Sequence, residues 1–209
     1  MVEAETSEYA YDDAACRHAH AYLLPTVERM LCDIAHQPGR AFDLGCGSGA
    51  VAHWLHGRGY TVCGCDPSQS GITQANAAYP DLDLRAGSTD DDLPAMFGAF
   101  PLVVSLEVVE HVFSPRAYVG RVHDLLDPGG HAIISTPYHG YLKNLALAVT
   151  GRMDAHFTAM WEGGHIKFWS AATLGRLLRS AGLDVVRVAR VGRFAPLAKS
   201  MVVLAQRPI

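Results

Sequence analysis

The chain has 209 residues, 49% hydrophobic and 18% charged, enough for one globular domain with a sizeable core. A net charge of −4 leaves no basic footprint of the kind nucleic-acid binders carry, and no uninterrupted apolar run approaches a membrane span. The start MVEAETSEYAYDDAA is acidic and lacks an apolar stretch, so it is not expected to act as a signal peptide, and the five cysteines suit free thiols in a reducing cytoplasm.

A helical segment over about 12–36 opens the chain, with Leu23, Leu24, Val27, Met30, Leu31 and Ile34 at helical spacing and Pro25 as a kink or true start. Arg40–Leu44 reads as a strand. A helix follows the Gly45–Gly49 turn and ends near Gly57 and Gly59. Tyr60–Cys65 is a second strand, Gly71–Ala78 a helix, Leu82–Arg85 a short strand and Leu102–Leu106 a buried one. Ser114 as N-cap and Pro115 at the first position open another helix, which Gly129 and Gly130 are expected to close. After strand His131–Ser135, residues 138–164 form a connection long enough to suggest a functional lid. Ser170 caps a last helix carrying Leu174, Leu177, Leu178 and Ala181 on one face and stopping at Gly182. Strands Asp184–Val191 and Met201–Ala205 are close enough to pair as an antiparallel hairpin. Alternating strands and helices predict a doubly wound α/β domain around a mainly parallel sheet.

Two further patterns are ambiguous. Cys63 and Cys65 stand two apart on a strand after His53 and His56, which allows a zinc site or simply small buried side chains. From Lys167 onward, eight Lys or Arg stand against one acid, Asp184, as solvated faces or as a surface for an anionic partner.

The stretch AFDLGCGSG carries Gly45, Gly47 and Gly49 at alternate positions after a strand, so the backbone can approach a ligand closely. Asp43, two residues before them, would repel a pyrophosphate but favour a cationic ligand. S-adenosylmethionine, with a sulfonium, an ammonium and no phosphate, fits. Asp66 ends the second strand, where an acid can accept both ribose hydroxyls; that geometry alone would serve a nicotinamide dinucleotide equally well.

Together with SLEVVEHVFSP, LDPGGHAIISTPY and GGHIKFWS, the runs FDLGCGSG and GCDPS make the chain, from Leu23 onward, resemble the class I S-adenosylmethionine-dependent methyltransferases, most closely the ubiquinone-biosynthesis O-methyltransferases. That resemblance implies a seven-stranded sheet with a reversed last strand. It implies that Asp43, Gly45, Cys46, Gly47 and Gly49 line the methionine part of the cofactor and that Asp66 and Pro67 hold the ribose and adenine edge. Ser88 or Thr89 would meet the adenine and Leu106 the cofactor's flank. Near the methionine carboxylate the candidates are Tyr22, His20 and Arg17. Nothing reads as a polyprenyl tunnel.

Methyl transfer is an in-line displacement in which the acceptor must also lose a proton. Glu107, Glu110 and His111 follow the buried strand and, if helical there, would share one face. Two carboxylates and an imidazole could hold Mg²⁺, Mn²⁺ or Zn²⁺, and the resemblance strengthens this, since some relatives use a Glu-x-x-Glu-His motif for metal. It also places His165 where a further family histidine sits. A metal-free His111 base, or acids that merely favour a helix start, are the alternatives. In the long connection, Tyr138, Tyr141, Phe157 and Trp161, with the apolar Leu145, Leu147 and Val149, could roof an aromatic substrate, pack as core or touch a membrane surface. The expectation is a cytoplasmic methyltransferase acting on a small molecule, with oxygen as the acceptor atom, without a nucleic-acid partner or stable membrane insertion. N- or C-methyl transfer, a non-catalytic S-adenosylmethionine-binding protein and an RNA 2′-O-methyltransferase are the rival readings.

Overall fold

A computed structural model describes residues 18–34, 37–161 and 163–209. Arg17, residues 35 and 36 and the part of the expected N-terminal segment before His18 lie outside them. The described elements are α1 (His18–Asp33), β1 (Arg40–Leu44), α2 (Ala50–His56), β2 (Thr61–Asp66), α3 (Gln69–Ala78), β3 (Asp83–Ala86), α4 (Leu93–Phe97) and β4 (Phe100–Leu106), then α5 (Pro115–Leu125), β5 (Leu126–Pro137), α6 (Tyr141–Val149), α7 (Met153–Phe157), α8 (Ala171–Ser180), β6 (Asp184–Val191) and β7 (Ser200–Gln206). Among the described residues no helix is long and apolar enough to cross a membrane.

The strands form one seven-stranded sheet in the order β3-β2-β1-β4-β5-β7-β6. β7 runs antiparallel to both β5 and β6, and the other pairings are parallel. Central strands buried on both faces read as continuous apolar runs, as β4 does in FPLVVSL. One core lies under α1, α2 and α3, built on Leu23, Val27, Val51, Leu55, Ile72 and Ala75. The other lies under α4, α5 and α8, built on Leu93, Phe97, Tyr118, Val122, Leu174 and Leu178. The sheet is therefore covered on both sides, as the alternation predicts.

Local signals place most boundaries. Ser68 opens α3 by accepting the Gly71 amide, two residues earlier than the helical pattern suggests. Ser170 and Thr173 form a reciprocal capping box on α8. Asp92 caps α4 through the Ala95 amide, a short helix that the apolar spacing does not announce.

Two expectations fail for tertiary reasons. Gly129 and Gly130 do not close α5: the helix stops at Leu125, whose successor Leu126 is already extended and begins β5. Gly129 (φ 80°) instead turns the chain within β5, and a Cβ on Gly130 would meet the carbonyl oxygens of Asp127, Phe100 and Pro101. There the register between β4 and β5 shifts, between Phe100 and Leu102. Nor is Glu107–His111 helical. Glu107 takes φ 58°, and a turn in which the His111 amide bonds the Val108 carbonyl follows it.

The zinc alternative fails on sidedness. Cys63 and Cys65 belong to the core beneath α4, α5 and α8, while α2, which carries His53 and His56, covers the opposite face. His53 stacks on Tyr79 instead, ring centroids 4.3 Å apart.

Candidate active site

The strand order reverses between β1 and β4, and in an open α/β sheet the ligand crevice lies beyond the strand ends at that point. β1 ends at Leu44, and Gly45, Gly47 and Gly49 all adopt positive φ (80°, 52° and 83°), which non-glycine residues reach only at a cost. The amides of Gly45 and Cys46 both donate to the Cys65 carbonyl, pinning the turn to β2. The Asp66 carboxylate accepts the Gly47 amide at 2.9 Å and the Ser68 amide at 2.8 Å, one on each oxygen. A carboxylate at this strand end is the acceptor a ribose diol would need.

Asp43 is buried, and its Oδ2 has no hydrogen-bond partner among the described residues. Burial, then the neighbouring Asp66, raise its pKa to about 7 against the pull of the Ala52 amide in the first turn of α2. An orphaned, cation-seeking carboxylate beside a left-handed glycine turn fits the ammonium end of S-adenosylmethionine. Cys46 lies buried in the same turn. Pro67 is exposed beside Asp66, Leu106 is buried at the end of β4, and Ser88 and Thr89 follow β3 half-buried. Ser88 is held by Asp91, whose Oδ2 accepts its amide at 2.7 Å. Of the candidates near the methionine carboxylate, His20 lines a groove between α1 and α2 with Trp54 and Arg58. The Tyr22 hydroxyl lies 3.2 Å from Ser200 Oγ, on the side of Glu107.

Beyond β4 stands the second half of the site. The Glu107 amide donates to Ser135, and its carboxylate accepts Ser135 Oγ (2.8 Å) and Ser200 Oγ (3.3 Å). Burial pushes its pKa up to about 7 against these bonds and the nearby Lys143. Glu110 is buried as well; neither carboxylate oxygen has a hydrogen-bond partner among the described residues, and His111 Nε2 stands 3.9 Å from Oε1. Burial and then Glu107 hold its pKa well above the ordinary range. The Glu110 carbonyl accepts the amides of both Ile166 and Lys167, which draws His165 into the site across 55 residues of sequence. His111 Nδ1 is fixed on the Gly163 carbonyl at 2.9 Å.

Glu110, His111 and His165 thereby bring one ligand atom each to within 4.8 Å of one another. Burial lowers the pKa of both imidazoles; for His165, with His111 and His156 adding to it, to about 4. Both are therefore neutral near pH 7, the form that ligates metal or takes a proton. Orphaned carboxylate oxygens beside two neutral imidazoles are a donor set that fits a divalent cation. Glu107, expected in that group, points instead to Ser135 and Ser200.

Trp161 packs its ring against both His111 and His165, at 6.3 and 5.5 Å between centroids. Tyr138 is buried in the sheet core beneath Arg190, and Tyr141 is exposed on α6. Ser135, Ser200 and Lys143 escape sequence reasoning because spacing carries no signal for contacts that span 28, 93 and 36 residues from Glu107. The Asp run at 90–92 was the available sign of Asp91.

A family model described as a methyltransferase domain matches residues 15–188. A ubiquinone biosynthesis O-methyltransferase of Dinoroseobacter shibae is 35% identical over 155 residues, covering 70% of this chain and 60% of that protein. One from Thiobacillus denitrificans is 31% identical over 166 residues, covering 77% and 70%. The chain thus spans 60% of the length of the Dinoroseobacter relative. Among solved structures, an S-adenosylmethionine-dependent methyltransferase of Mesorhizobium loti superposes with a TM-score of 0.67 at 24% identity, over 88% of this chain and 96% of that one. A Pyrococcus horikoshii protein reaches 0.71 at 17% identity, over 94% of each chain. These two share the fold. With the glycine turn, the paired acids and the matched domain in agreement, this chain belongs to the class I S-adenosylmethionine-dependent methyltransferase family and stands close to its ubiquinone-biosynthesis O-methyltransferases.

Proposed function

We propose that the protein transfers the methyl group of S-adenosylmethionine to a hydroxyl oxygen of a small molecule. The observation that carries the reading is the Glu110, His111 and His165 group standing beyond the β4 end, next to the cofactor crevice. The cofactor, when bound, supplies a methyl group on a sulfonium. The turn Gly45–Gly49, with Asp43 and Asp66, holds and orients it. A hydroxyl becomes an adequate nucleophile only as its proton leaves, and a neutral imidazole at His111 or His165 can take that proton. Glu110, His111 and His165 would hold Mg²⁺, Mn²⁺ or Zn²⁺, whose Lewis acidity would lower the hydroxyl's pKa. Aromatic amines would gain little from that arrangement, because their lone pair is already free near neutral pH, and an aliphatic ammonium would be repelled by a bound divalent cation. The acidic balance of the chain favours a small acceptor over a nucleic acid.

Purified protein with S-adenosylmethionine and a panel of phenols, catechols, carboxylic acids and amines tests this. S-adenosylhomocysteine is expected to appear with hydroxyl acceptors; release with amines alone would move the reading to N-methyl transfer. Trp161 edges both histidines from the 138–164 connection, so it is assigned to the acceptor. Trp161→Ala is expected to raise the acceptor's KM by roughly tenfold, the loss of about 1.4 kcal/mol of binding, while cofactor affinity stays within twofold. A joint fall of both affinities with thermal stability would make Trp161 a packing residue.

A further inference from the structure

We infer that Asp43 is a proton-for-cation exchange site: its carboxyl is protonated in the free protein, and the primary ammonium of the cofactor's amino-acid arm displaces that proton on binding. The inference rests on the cofactor reading above and adds a chemical demand to it.

The geometry divides charge unequally between two buried acids. Asp66 accepts an amide on each oxygen, from Gly47 and Ser68, so its negative charge is stabilised where it stands. Asp43 Oδ2 has no such donor among the described residues. The titratable groups around Asp43 are Asp66 at the end of β2 and the Cys46 thiol in the turn, with the Cys65 thiol acting from the other face of the sheet; the Ala52 amide approaches from α2. All three side chains are acids, and the thiols are themselves pushed upward by burial and by Asp43 and Asp66. Two buried carboxylates without a cation do not both ionise. The proton settles on the acid with fewer donors, Asp43, and the pKa of about 7 produced by burial and Asp66 agrees with that placement.

An ammonium brought to Oδ2 supplies the missing positive charge. The exchange balances: the carboxyl O–H bond breaks, its proton passes to solvent, and carboxylate and ammonium remain as an ion pair. Affinity for ligands with the ammonium should then fall as pH drops below about 7, by up to tenfold per unit, because a proton competes for the same oxygen. A ligand with the adenosine part alone should show no such dependence.

S-adenosylhomocysteine and 5′-methylthioadenosine make the comparison, since the second lacks the amino-acid arm and neither carries a sulfonium. Calorimetry at about pH 6 in two buffers of different ionisation enthalpy counts protons. Infrared difference spectra report the C=O stretch of a protonated carboxyl. Release of most of one proton with S-adenosylhomocysteine, none with 5′-methylthioadenosine, and loss of a protonated-carboxyl band only with the former are the expected results. Asp43→Asn should remove both the proton release and the pH dependence; the spectra of the unaltered protein stand alone if that variant does not fold. Tight binding of S-adenosylhomocysteine without proton release or band loss would overturn the exchange and leave the cofactor reading intact. No binding of either nucleoside would overturn both.

Discussion

Glu110→Gln is expected to lower turnover by roughly 10²–10⁴-fold while leaving S-adenosylhomocysteine affinity within twofold. Its carboxylate is buried without a hydrogen-bond partner among the described residues and meets only the His111 ring, 3.9 Å away, so a neutral amide of the same shape should release little of the fold. What the amide removes is an anionic ligand shared with His111 and His165. Chelation should have the same effect in the unaltered protein, and Mg²⁺, Mn²⁺ or Zn²⁺ should restore turnover. Glu107→Gln separates the two acids. Its side chain is bonded to Ser135 and Ser200, so metal content measured on purified protein should survive in Glu107→Gln and drop in Glu110→Gln. Full activity in chelator-treated, metal-free protein would leave His111 or His165 as a base acting alone. Equal metal loss in both variants would put Glu107 back among the ligands.

Gly45→Ala should be the most damaging change in the turn, costing roughly 2–6 kcal/mol of stability together with most of the cofactor affinity. Two costs combine. The residue sits at φ 80°, where a side chain adds strain of about 1–3 kcal/mol. The new Cβ would also overlap both γ-methyls of Val108, a β-branched side chain with little freedom to turn away, at a further cost of about 1–3 kcal/mol. Gly120→Ala is the control. That glycine lies inside α5 with nothing within 4 Å of its added Cβ, so the change should stabilise by about 0.5–1 kcal/mol. Thermal or urea unfolding of the two variants measures the contrast. Equal stability for both would show that Val108 yields and that the turn tolerates a side chain.

The parts of the structure that short stretches of residues specify are those whose causes are local. Arg40–Leu44 is a strand because an apolar run meets a glycine turn, and Ser170 marks the start of α8 because a hydroxyl at that place caps amides three residues on. The doubly wound α/β class followed from the alternation of such segments, and the glycine turn flanked by Asp43 and Asp66, the candidate cofactor crevice, from their spacing. Tertiary structure decided what depends on partners far along the chain. The Glu-Val-Val-Glu-His run reads as a helical face, yet the Glu107 amide is claimed by Ser135 on the neighbouring strand, and the residue takes φ 58° instead of a helical conformation. The third member of the candidate metal group became His165 rather than Glu107, because the Glu110 carbonyl gathers the amides of Ile166 and Lys167. Cys63 and Cys65 are parted from His53 and His56 by the thickness of the sheet, a matter of which face α2 covers. Local periodicity encodes backbone conformation one turn at a time, whereas a site assembled from β4, β5, β7 and a distant loop exists only once those strands have paired.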